Sequence, residues 1–180
     1  MALRLPRTIR LDPSDTFVFE RAAEPGEWAV TGTFLFFGTD TAGLAGKARQ
    51  AFRSGFLGVG SFGWSTLAVV TDASEDDRRD AVDRLAHQLV TRLGAPDYRT
   101  ASSAADEEIA FAQSLCDHPE GTLLGLHRTA GAEGVRETFR TLHRRADRLE
   151  PIGAFRFVEV DEEEPGEDVN LAGMASGDPR

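Results

Sequence analysis

SGFLGVGSFGWSTLAVV, residues Ser54 to Val70, is the stretch whose reading decides the fold. Its second half, Trp64 to Val70, is a nearly continuous run of apolar and β-branched residues, as expected of a central strand covered on both faces. Its first half is broken by Gly55, Gly58, Gly60 and Gly63. Such a run invites comparison with phosphate-cradling loops, but those leave a strand and open a helix whose N-terminus receives the anion. Here a helical pattern precedes and a strand follows. The run therefore reads as a connector, or as a lip over a small-molecule pocket with Phe56, Phe62 and Trp64 around it.

Upstream, Leu44, Ala48, Ala51, Phe52 and Phe56 recur at helical spacing, which predicts an amphipathic helix over 41–56, started by Asp40 or Thr41 and ended near Gly55. Before it, alternation at 7–12 predicts a strand, and the runs 16–20 and 27–37 around Pro25-Gly26 predict a hairpin. Downstream, Ser74 followed by Glu75, Asp76 and Asp77 supplies a capping hydroxyl and then negative charge where the helix dipole favours it. That helix is expected to run to Leu93, where Gly94-Ala95-Pro96 stops it. SSAADEE at 102–108 opens another, with a stripe of Ala105, Ile109, Ala112, Leu115 and Cys116, closed by His118-Pro119.

Residues 122–129 read as a strand. Residues 135–149 fit a helix or a strand, and the AGAEG loop at 130–134 favours a hairpin in which 135–143 pairs back on 122–129 with His127 opposite Glu137. Residues 154–160 alternate as a last strand. The order implies an α+β domain over 1–160, a largely antiparallel sheet with about three helices packed mainly on one face, followed by an acidic, disordered tail at 161–180.

Hydrophobic content of 41% and charged content of 28% suit a globular domain able to bury its own core. In the tail, seven carboxylates against Arg180 make −6 of the net −10, leaving the body at −4. That balance argues against nucleic-acid binding, which needs a basic footprint. With Cys116 as the one cysteine no intrachain disulfide can form, and the N-terminus has no uninterrupted apolar run. A cytoplasmic protein without membrane contact is expected.

Cys116, Asp117 and His118 bring nucleophile and base types together, and Cys116 and His118 join the three aromatics as candidate pocket residues. Against thiol chemistry, Cys116 lies on the apolar stripe of its own helix. The metal-ligating pool of Cys116, His118, His127 and His143 lacks zinc-type spacing, so no metal and no cofactor is assigned. Arg128, Arg136, Arg140 and Arg144 form the one basic patch, which reads as a solvated face or as a dock for an acidic protein partner. The reading favoured is a non-catalytic protein-binding or accessory module, with a protein partner or a homo-oligomer. The alternative is a small enzyme or small-molecule binder with its pocket under the loop 55–64.

LRLPRTIRLDPSDTFVFE, GKARQAFRSGFLGVGSFGWSTLAVV and EEIAFAQSLCDHPEGTLLGLHR together resemble a family of short alphaproteobacterial proteins classed as a domain of unknown function, over roughly residues 3–160. The resemblance implies a bacterial cytosolic setting and adds no site.

Overall fold

In the computed structural model, which describes residues 2–143 and 160–163, the Ser54–Val70 stretch feeds two sheets at once. It supplies β3 (Phe56–Gly58) and β4 (Trp64–Ser65), which with β2 (Ala29–Val30) make a small antiparallel sheet ordered β2-β3-β4. It then runs into β5 (Leu67–Asp72) of the main sheet, ordered β1-β5-β6-β7-β8 and antiparallel throughout. The other main strands are β1 (Arg4–Thr8), β6 (Leu123–Gly131), β7 (Gly134–Leu142) and β8 (Val160–Glu163). With three helices of seven residues or more among the described residues and antiparallel sheets, the fold is α+β. Among the described residues no helix is long and apolar enough to cross a membrane.

Helix α3 (Glu75–Leu93) begins on a full capping box, Ser74 and Asp77 bonding reciprocally, and ends on Gly94 at φ 68°. Helix α4 (Tyr98–Ser114) starts earlier than SSAADEE suggests, because the Asp97 carboxylate accepts from the Thr100 amide and caps it there. The two helices bury Ala81, Leu85, Ala101, Ala105 and Ile109 in one core with Leu5, Val30 and Leu57. A second core joins Phe56, Ala68, Val70, Cys116, Leu124 and Leu126. In a third, Phe36 packs edge-on against Phe52 and stacks on Trp64, with ring centroids 5.1 and 5.5 Å apart.

The N-terminal hairpin expected over 16–20 and 27–37 does not form. Residues Asp15–Val18 make a single helical turn, α1, after DPSD, where the Asp15 carboxylate ties back to the Leu11 and Asp12 amides. The second strand stops at Val30 because Gly32 takes φ 75°, and Thr33–Phe36 winds into a 3-10 turn. The helix expected over 41–56 divides into a 3-10 turn at Thr41–Gly43, capped by Asp40, and α2 (Gly46–Ser54). The β6–β7 hairpin is present one residue out of the expected register: Glu137 lies opposite Arg128, and His127 opposite Thr138. Strand β8 takes up 160–163, so its last three residues belong to a sheet and not to the tail; the rest of the tail, and the strand expected at 154–159, lie outside the described residues.

Candidate functional site

Alternation along β6 buries Leu124, Leu126 and then Arg128 on one face. On β7 the register sets Glu137 opposite Arg128, between Val135 and Phe139 on the same face. The Arg128 side chain is 0% exposed, and its Nε lies 3.0 Å from Glu137 Oε1. The other donors turn inward: Nη1 donates to the carbonyls of Ala51, Phe52 and Gly55 at 3.3, 3.0 and 3.0 Å, and Nη2 donates to the Thr31 carbonyl. Nε also lies 2.8 Å from Thr33 Oγ1. The cation thus sits at the C-terminus of α2, where carbonyls lack helical partners and the dipole is negative. Its guanidinium carbon is 5.5 Å from the Phe36 ring centroid and 6.0 Å from that of Trp64.

Beside this ion pair opens a cleft of about 310 Å³, lined by Thr33 and Phe34 of the 3-10 turn and the flanking Thr31 and Phe37, by Glu108 and Phe111 of α4, and by Val135 and Glu137 of β7. Glu108 and Phe111 are three residues apart on α4 and so share a flank. Phe111 also meets Phe139 edge-on, at 6.0 Å between centroids. Because the Arg128 donors are taken up by carbonyls, Thr33 and Glu137, the charged groups bordering the cleft present acceptors. The Glu108 carboxyl is pushed above its ordinary range, first by burial and then by the negative charges of Glu137 and Glu107.

The five residues expected to share a pocket are not brought together. Phe56 and Cys116 are buried in the second core, where burial pushes the Cys116 thiol up to about 12, the opposite of an activated nucleophile. Trp64 is stacked into the third core, and the space beside it, between Ala22 and Ser65, is about 10 Å³, room for about one water. Phe62 sits at φ 57° with the Arg92 guanidinium 5.5 Å from its ring centroid. His118 accepts from Arg4 through its carbonyl, and its ring is 6.3 Å from that of His143. Among the described residues no three His, Cys, Asp or Glu gather as a metal site.

The basic patch is also corrected. Arg128 cannot belong to a surface, since its guanidinium is enclosed by the C-terminal end of α2, the Thr31 carbonyl and the Thr33 hydroxyl. Arg136 and Arg140 are exposed on the other face of β7, and Arg144 lies outside the described residues.

Residues 1–159 match the family described as "Family of unknown function (DUF6505)". The chain belongs to DUF6505. No curated protein and no solved structure matches it. For this DUF6505 chain the cleft is therefore read from its own geometry.

Glu108 gives that geometry a measurable consequence. A carboxyl whose folded pKa is raised contributes stability that is complete below its unfolded value and is lost as pH rises through the folded one. Glu108→Gln in the DUF6505 chain is therefore expected to melt above the wild type at pH 8, with the gap closing below about pH 4, where the wild-type carboxyl is protonated. Thermal melts across that range check it, and a variant less stable than the wild type at pH 8 would contradict the electrostatics described.

Proposed function

We propose that this protein is a non-catalytic, cytoplasmic protein-binding module whose docking surface is the cleft between the Thr33–Phe36 turn, α4 and β7. The observation that carries the reading is the pair of aromatic rings at its border: Phe37 is 71% exposed and Phe111 43% exposed. Exposed aromatics beside a concavity with convergent polar groups are the usual anchors of a protein interface. The volume, at the lower end for small-molecule sites, suits one or two inserted side chains. Docking through the exposed arginines of β7 is a weaker reading, since Arg128 has left the patch for the interior.

The test compares proteins retained from native cell extract by immobilised wild type and by a Phe37→Ser/Phe111→Ser variant. Both sites are exposed, so the variant should fold and melt within a few degrees of the wild type. A partner held by the wild type and reduced at least tenfold on the variant supports the reading. An unchanged set of retained proteins overturns it.

A further inference from the structure

The charged groups around the cleft say what should enter it. Glu137 uses Oε1 on Arg128, and among the described residues no hydrogen bond reaches its Oε2 or either oxygen of Glu108. The groups acting electrostatically on Glu108 are Glu137 and Glu107, both negative; Arg128, the one buried cation nearby, is enclosed by carbonyls. The same cleft is lined by Phe34, Phe37 and Phe111, and aromatic rings attract cations through their π faces.

We propose that the cleft is a socket for a guanidinium group, presented as an arginine side chain of the partner. This rests on the reading of the cleft as a docking surface and specifies its occupant. A planar guanidinium stacks on a phenyl ring while its fork of N–H donors serves two acceptors, a combination that a lysine ammonium matches less well. The acidic balance of the chain, −10 in all, favours approach of such a partner. Arg128 already shows the same solution inside the protein, a guanidinium held by a carboxylate, a hydroxyl and carbonyls near aromatic rings.

The probe is the tripeptide acetyl-Gly-Arg-Gly-amide, titrated into the nitrogen-15 labelled full-length protein, with acetyl-Gly-citrulline-Gly-amide as the neutral isostere. Saturable shifts of the Phe34, Phe111 and Val135 amides are expected with the arginine peptide, with the citrulline peptide at least tenfold weaker. Glu108→Gln, which leaves the Arg128–Glu137 pair intact, should weaken the arginine peptide about fivefold. Equal binding of the two peptides, no loss in the Glu108→Gln protein, or no shifts at these amides up to 10 mM probe would each overturn the proposal. If those results came with partner retention that still depended on Phe37 and Phe111, the occupant would be wrong and the docking surface right. If that dependence were absent too, both would fail.

Discussion

Arg128→Met is expected to cost about 3–5 kcal/mol, the usual range for breaking a buried ion pair from one side. The methionine fills much of the same volume, but it leaves Glu137 without its cation and the carbonyls of Phe52, Gly55 and Thr31 without their donor. Against a total stability of about 5–15 kcal/mol, that is a large share. For a chain of this length it corresponds to roughly 6–20 °C in melting temperature. The double variant Arg128→Met/Glu137→Gln should recover part of the loss, because it removes both charges of the pair. Denaturant melts of the three proteins check this. A single variant within about 1 kcal/mol of the wild type would mean that Arg128 does not hold the structure together.

The second large effect is expected at Gly63, inside the stretch on which both sheets depend. Its amide-to-carbonyl neighbourhood is closed by another segment: the Trp64 amide donates to the Arg21 carbonyl at 2.9 Å, and the Ala23 amide donates to the Trp64 carbonyl at 2.8 Å. A Cβ on Gly63 would stand 2.5 Å from the Ala22 carbonyl oxygen and 2.6 Å from its carbon. Both are backbone atoms, so relief requires moving a strand-like segment and not just a rotamer. Gly63→Ala should cost about 3 kcal/mol, at the upper end for overpacking, and lower the melting temperature by roughly 6–12 °C. Gly131→Ala is the control. Its Cβ would meet nothing nearer than 3.9 Å, and its effect should stay within about 0.5 kcal/mol. Equal melting temperatures for the two variants would mean that the 21–23 segment does not lie against Gly63.

These two sites show what could be read in the sequence and what could not. The strong local signals survive: the Ser74–Asp77 start and Gly94 stop of α3, the apolar stripe of α4, the turn at Ala132-Glu133 and the apolar run of β5. All are set by neighbours along the chain. The failures lie where long-range contacts override local pattern. Residues 33–36 alternate well enough for a strand, but Gly32 takes a left-handed conformation and a side chain there would meet Leu57 and Trp64. In the Ser54–Val70 stretch Gly58, Gly60 and Gly63 serve close approach to Ala22, Ala23 and Glu27, and Gly55 serves close approach to Ala51 and Trp64; the Glu27 carboxylate itself accepts from the Ser61 amide and hydroxyl.

The candidate cleft was partly legible. Leu124, Leu126 and Arg128 alternate onto one face, as do Val135, Glu137 and Phe139, so an arginine and a glutamate each stood on an apolar face of a predicted hairpin. Pairing them needed the register, and a one-residue slip, which assigned Glu137 to His127, reverses every face. By residue type alone Arg128 reads as one more surface arginine beside Arg136 and Arg140, which masks the signal. The contributions of Phe37, Glu108 and Phe111 were not legible, because the distance in sequence between the 3-10 turn and α4 is closed by tertiary packing alone.

That the charged groups of the cleft are carboxylates alone depends on Arg128 being turned inward, and the arginine Nε–H groups report this directly. In nitrogen-15 NMR spectra recorded as the protein exchanges into deuterium oxide, one Nε–H should persist long after the exposed arginines have vanished. It should show contacts to the Phe36 or Trp64 ring and be missing from the Arg128→Lys protein. If the Arg128 Nε–H exchanged as fast as those of the exposed arginines, the guanidinium would face solvent, and a cleft carrying its own free cation would not be a socket for another.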